Sequence, residues 1–168
     1  MKKLAGKILI LVGAVAGLSL VSGCEAPCTR TVSQAEINAV NQTQLQTDIA
    51  AIDQYLVNNG IVASNDPSGI RYTVDTPGTG AKPCLENTVT VRYTGKLLST
   101  GNVFDSSANP VSFALSNLIL GWRIMLPQFQ AGSIITLYIP SGFAYGTRGA
   151  GTSIPANANL IFTIELVR

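Results

Sequence analysis

Apolar residues follow three successive rhythms along this chain, and each predicts a different element. The first is an unbroken run, Ile8 to Leu20, preceded by Lys2, Lys3 and Lys7. The second lies between Ser33 and Asn59, where Ile37, Val40, Leu45, Ile49, Ile52 and Leu56 recur at mostly three-, four- or five-residue steps. That spacing predicts a helix with one imperfect apolar stripe. Ser33 and Glu36 have capping-box spacing and Gly60 follows the last turn, a fitting start and stop. The polar stretch Asn41 to Gln44 interrupts the stripe and weakens a coiled-coil reading. The helix is therefore either a spacer or dimerisation element, or one packed on the domain that follows.

The third rhythm has period two, the signature of half-buried strands. It begins after Gly69, beyond a linker or turn at Ala63 to Ser68. Ile70, Tyr72 and Val74 alternate first, then Val89, Val91 and Tyr93, then Val111, Phe113 and Leu115. Ile135, Leu137 and Ile139 follow, and finally Leu160, Phe162, Ile164 and Leu166. Pro77 to Gly80 and Ser99 to Asn102 read as turns. No GK[ST] follows the glycines at 78 and 80, so a phosphate loop is excluded there. Leu118 to about Phe129 predicts a short helix in which Pro127 kinks or limits the first half. Antiparallel strands with one short helix make an α+β domain, with the helix covering one face of the sheet. The only Trp, Trp122, falls in that helix, and Tyr145 falls in the loop after the Ile134–Ile139 strand. An indole floor with a phenol at the rim makes a pocket for an apolar group carrying one acceptor.

Composition narrows the chemistry. The chain of 168 residues contains no His, which removes imidazole as base, nucleophile's partner or metal ligand. With only three Cys, no structural metal is expected, and no cofactor is implied. Removing Lys2, Lys3 and Lys7 from the eleven basic residues leaves eight against nine acidic ones. A near-neutral chain carries no electrostatic footprint for nucleic acid.

Met1 to Leu20 reads as an export signal whose apolar core is short for a membrane span. Val21-Ser22-Gly23-Cys24 resembles the lipobox of bacterial lipoproteins. By that resemblance Cys24 is lipidated and becomes the mature N-terminus, and more than one acyl chain anchors it stably. The implied location is the cell envelope, lipid-anchored, with the membrane face open. Outside the cytoplasm Cys28 and Cys84 either pair or remain two small unpaired hydrophobes. Pairing is the expectation, since two thiols remain once Cys24 is acylated.

Five ordered motifs then resemble FKBP-type peptidyl-prolyl isomerases over roughly Gly69 to Arg168. They are Val91-Arg92-Tyr93-Thr94-Gly95, Phe104-Asp105-Ser106-Ser107, Leu118-Ile119-Leu120-Gly121-Trp122, Ile139-Pro140 through Phe143-Ala144-Tyr145-Gly146, and Ile154-Pro155-Ala156-Asn157-Ala158-Asn159-Leu160-Ile161-Phe162. The resemblance implies a twisted antiparallel sheet wrapped over a short helix, here preceded by the N-terminal helix. It divides the chain into a lipoprotein signal peptide (1–23), a tether with the N-terminal helix (24–68) and an isomerase domain (69–168). It implies Trp122 at the base of a pocket, with Tyr93, Phe104, Leu118, Ile119 and Phe162 lining it. The Ile119 N–H and Tyr145 hydroxyl would bond ligand carbonyls. Asp105 would sit at the wall, oriented by Tyr93, and Ile154 would touch the ligand. Asp105, Tyr145, Trp122 and Phe104 are the expected catalytic group. Val111 aligns where many members have a pocket Phe, with Phe113 its same-face neighbour. Ala150 aligns with a frequent His, and Ile124-Met125 with the usual Glu-Gly. These departures bear on substrate preference and macrolide affinity rather than on fold.

Taken singly, each residue has a plainer reading. A lone Trp is usually core, as are Tyr93, Phe104 and Phe162 at strand spacing, and Asp105 before two serines suits a turn. Together they suit rotation about an X–Pro bond, whose barrier of about 20 kcal/mol is lost amide resonance. A twisted amide separates less charge than a planar one, so a water-poor apolar pocket favours it. No proton need move. The implied partners are proline-containing polypeptides and macrolides of the rapamycin type. A lipid-anchored peptide-binding chaperone with little turnover is the alternative, and a structural spacer lipoprotein a third reading.

Overall fold

The computed structural model describes residues 28–168. The signal segment and Cys24 lie outside the described residues. Where one N-terminal helix was expected there are two, α1 (Gln34–Asn38) and α2 (Gln42–Asn58). Asn41 separates them. Its backbone is extended (φ −62°, ψ 110°), and its side-chain oxygen accepts the Gln44 N–H at 3.0 Å. The polar stretch that breaks the stripe is thus the cap of a second helix. Ser33 caps α1, accepting the Glu36 N–H at 3.2 Å. The end of α2 is a Schellman motif. Gly60 takes φ +64°, its N–H reaches the Val57 carbonyl at 3.1 Å, and Ile61 N–H reaches Leu56 at 2.9 Å. A Cβ would be strained at that φ.

Among the described residues six strands form one antiparallel sheet: β1 (Ser64–Asn65), β2 (Arg71–Thr76), β3 (Thr88–Leu97), β4 (Val103–Ala114), β5 (Ile134–Ile139) and β6 (Leu160–Leu166). Their order is β1-β2-β5-β6-β3-β4. The expected linker at 63–68 contains β1, which pairs with the start of β2. The alternation of Val111, Phe113 and Leu115 belongs mostly to one longer strand, β4, which starts at Val103. The register jumps from Val91↔Val111 to Tyr93↔Ser107, so β4 bulges across Ala108, Asn109 and Pro110. Pro110 donates no ladder bond, and a bulge on an edge strand accommodates it.

The period-two residues share one face of the sheet. Leu137 lies opposite Phe162, Ile135 opposite Ile164, and Ile139 opposite Leu160. The short helix α3 (Leu120–Met125) packs on this face, preceded by a 3-10 turn at Leu115–Asn117 and followed by another at Leu126–Gln128. Pro127 sits at the start of the second turn, where its missing N–H costs nothing. It ends the α-helix at its first half, as expected.

The opposite face of the sheet is covered by α2. Ile52 and Leu56 pack there against Leu98, Tyr138 and Ile161, each such burial being worth about 1.5–3 kcal/mol. A forked ion pair fixes the crossing: Arg71 Nε and Nη2 lie 2.8 and 3.0 Å from the two Asp53 carboxylate oxygens. The N-terminal helix is therefore packed on the domain rather than held off as a spacer.

Cys28 and Cys84 are joined, with Cα atoms 5.2 Å apart and a sequence separation of 56. Such a loop closed covalently restricts the unfolded chain by about 2–4 kcal/mol. The double variant Cys28→Ser, Cys84→Ser is expected to lose that much stability in urea denaturation. An unchanged midpoint would mean that the bridge constrains nothing.

Candidate active site

The site opens on the sheet face that carries α3, and its walls come from separate elements. Trp122 is on α3, Tyr93 on β3, Phe104 and Phe113 on β4, and Phe162 on β6. Their rings meet mostly edge to face. Trp122 lies 5.2 Å from Phe162 at 85° and 5.6 Å from Tyr93 at 84° between ring planes. Phe104 meets Phe162 at 5.5 Å and 85°. These geometries set positive ring edges against negative faces. The indole is only 3% exposed, yet it still borders a cleft. That cleft has a volume of about 190 Å³ and is lined by Tyr93, Phe104, Asp105, Phe113, Leu118, Ile119, Trp122, Tyr145 and Phe162. It is smaller than the roughly 300–1,000 Å³ of drug-sized pockets and suits one ring-sized apolar group.

Close approach of the rings requires Gly95. A Cβ there would lie 2.6 Å from Phe104 Cζ and 2.8 Å from Phe162 Cε1. The glycine was visible in the V-x-Y-x-G motif, but no role was read from it. A glycine inside an alternating strand is the available signal, since it marks a close approach.

Two polar groups face each other across the rim. Asp105 is exposed on β4, and Tyr93 Oη donates to its Oδ2 at 2.6 Å. Asp105 lies opposite Gly95 within the ladder, so its plainer reading as a turn residue fails. Burial, followed by the Asp105 carboxylate, pushes the Tyr93 phenol up to about 12. Tyr145 stands at the other side, 38% exposed. It follows the 3-10 turn Ser141–Phe143, whose Phe143 is fully buried. Its phenol is also raised above the ordinary tyrosine range, by burial first and the Asp105 charge second. Both phenols thus stay protonated donors at neutral pH. Ile119 precedes α3, and its N–H has no backbone partner among the described residues.

The structure brings nine of the expected residues together and leaves two outside. Val111 pairs with the buried Val91 and packs on the core. Its side chain is too short to reach the cleft, while Phe113, two residues on and on the same face, supplies a ring 6.2 Å from Tyr93. Ile154 is 6% exposed within the core. It is held there by paired bonds with Ala150 of 2.8 and 3.1 Å, which turn it inward.

Two outcomes follow from this geometry. Gly95→Ala is expected to cost about 1–3 kcal/mol through overpacking and to alter the near-ultraviolet circular dichroism of the displaced rings; an unperturbed spectrum would mean that the rings tolerate a methyl group. Spectrophotometric titration is expected to find one phenol ionising near 12, lost in Tyr93→Phe. Because the neutral form is the one favoured on folding, this contact stabilises the protein fully below about pH 10 and is lost as pH rises through the folded value.

Known proteins similar to this chain share one family description. The family model for FKBP-type peptidyl-prolyl cis-trans isomerase matches residues 80–167. The "Outer membrane protein MIP" of Legionella longbeachae is 44% identical over 104 residues, which is 60% of this chain and 44% of that protein. The "FKBP-type peptidyl-prolyl cis-trans isomerase FkpA" of Aeromonas hydrophila is 35% identical over 175 aligned positions, covering 95% of this chain and 63% of that one. The chain therefore spans less than two thirds of the length of these curated relatives. A crystal structure of a peptidyl-prolyl cis-trans isomerase from Pseudomonas syringae pv. tomato superposes with a TM-score of 0.66 at 36% identity, over 76% of this chain and 93% of that one. On the matched residues and the superposition with a solved isomerase, the chain belongs to the FKBP-type peptidyl-prolyl cis-trans isomerase family.

Proposed function

We propose that the protein isomerises X–Pro bonds in exported polypeptides and so assists their folding. The observation that carries this reading is the indole-floored cleft with a protonated phenol at its rim. The proline ring enters between Trp122, Phe104 and Phe162. Tyr145 Oη donates to one substrate carbonyl and the Ile119 N–H to another, which fixes the chain on one side of the bond. The other side is free to turn. Exclusion of water leaves the planar, charge-separated amide less well solvated than the twisted one, so the barrier falls. Asp105 holds the Tyr93 ring in place at 2.6 Å and presents negative charge to the rim. No acid–base or covalent step is needed.

The catalytic group is Asp105, Tyr145, Trp122 and Phe104. Tyr93, Phe113, Leu118, Ile119 and Phe162 form the surface that binds substrate, and macrolides of the rapamycin type compete for it. Residues 69–168 form the isomerase domain, and residues 24–68 supply the tether and N-terminal helices. The lipobox-like Val21-Ser22-Gly23-Cys24 supports a location in the cell envelope through lipid on Cys24. Val111 in place of a pocket Phe would favour a chaperone with little turnover. Phe113 fills that side of the cleft, which leaves this second reading without its support.

A protease-coupled assay on a short X–Pro peptide should show faster cis-to-trans conversion than buffer. Tyr145→Phe is expected to lower kcat/KM about fivefold, the loss of one hydrogen bond of roughly 1 kcal/mol, and Asp105→Val to lower it at least as far. A rapamycin-type macrolide should inhibit competitively. A rate equal to buffer with refolding clients still bound would replace the isomerase by the chaperone. Separately, Cys24→Ser is expected to move the exported protein from the detergent phase to the aqueous phase on detergent partitioning; retention in the detergent phase would remove the lipid anchor.

A further inference from the structure

The loop that presents Tyr145 is fastened from outside the matched family region. Asp48, in the middle of α2, is 2% exposed. Its Oδ2 accepts the Ser141 N–H at 2.9 Å and the Ser141 hydroxyl at 2.6 Å. Its Oδ1 accepts from Gln44 Nε2 at 2.8 Å. A buried carboxylate is costly unless its lone pairs are filled, and here three donors fill them. Two of those donors belong to one residue 93 positions away in sequence.

That residue opens the 3-10 turn Ser141–Phe143, and Tyr145 comes just after its cap, Ala144. The turn is closed by Phe143 N–H to Pro140 O and Ala144 N–H to Ser141 O, each at 3.0 Å. A second contact reaches the same turn from the N-terminal region: a Cβ on Gly142 would lie 3.2 Å from Val40 Cβ, and Val40 sits between α1 and α2. The rim phenol is therefore carried on a turn pinned at its first residue by α2 and backed at its second by the α1–α2 junction. Asn159 Oδ1 also accepts the Ser141 N–H, at 3.0 Å, but the hydroxyl bond is made to Asp48 alone.

From these contacts we infer that Asp48 is a positioning residue for the isomerase site, holding Tyr145 at the rim of the cleft through Ser141. The inference rests on the isomerase reading above for its consequence, but not for its geometry. Asp48 touches no substrate. It acts by limiting the orientations of the Tyr145 turn, so that the phenol meets the substrate carbonyl without first paying ordering entropy. Asn can replace it, because one amide oxygen accepts both Ser141 bonds while the amide nitrogen meets a reoriented Gln44 side chain. Ala cannot.

The test uses the full folded protein and two readouts. In the X–Pro assay Asp48→Ala is expected to lower kcat/KM by about threefold to fivefold, no more than Tyr145→Phe does, with Asp48→Asn within about twofold of the parent. In a Tyr145→Phe background the same Asp48→Ala change should have almost no further effect. A loss of general stability would persist there. By amide hydrogen exchange, Asp48→Ala should speed exchange at Phe143 and Ala144 about tenfold and leave Leu137 and Phe162 unchanged. Unaltered exchange at Phe143 and Ala144 would overturn the inference, as would an Asp48→Ala loss of equal size with and without the Tyr145 hydroxyl. If the parent itself shows no turnover, the isomerase reading falls and the exchange rates alone decide whether Asp48 holds the turn.

Discussion

The protein depends on keeping one face of a buried indole open to a small dry cleft. A Trp that is 3% exposed would ordinarily be sealed by its neighbours. Here Tyr93 and Phe162 meet it edge to face and stand around it rather than over it. That arrangement fails if the rings lie flat, and Gly95 is what lets them stand. Its missing side chain allows Phe104 and Phe162 to press against the β3 backbone. The rigid ladder of β3 with β4 and β6 then fixes the ring roots, so the cleft's shape is a property of the sheet. Interiors packed this densely do not flow to fill a gap.

Polar groups are admitted only at the rim, each under constraint. Asp105 is exposed and its partner Tyr93 is partly buried, so the pair straddles the boundary between water and cleft. The apolar surroundings raise both phenols, which keeps them donors. A site that works by excluding solvent gains from donors that never ionise near neutral pH. The absence of His from the chain fits the same economy: nothing in the cleft changes charge near pH 7 by way of an imidazole.

Much of this was legible in the sequence because burial and periodicity coincide. Ile135, Leu137 and Ile139 alternate, and the strand they predict is the strand observed, Ile134–Ile139. Leu160 to Leu166 behaves likewise. The illegible parts are those where local polarity has a non-local cause. Asn41 looked like a defect in a stripe and is a helix cap. Val111 and Phe113 alternate on one face, and the alternation did not tell that only the longer ring borders the cleft. Nothing near Ile154 in sequence told that its paired bonds to Ala150 would turn it to the core. Asp48 is the clearest case. A carboxylate on the buried side of a helix has no local explanation, and its partner is 93 residues away.

The bridge between Cys28 and Cys84 has a spatial consequence. If Cys24 is where the chain enters the lipid, that point is only four residue steps from a covalent weld on the globular body. Fully stretched, such a leash spans about 14 Å. The body then hovers within a few side-chain lengths of the bilayer and cannot swing out into the compartment. Under that condition any chain it acts on would have to be met at the membrane surface, as by a sentry at a fixed post instead of a roaming one.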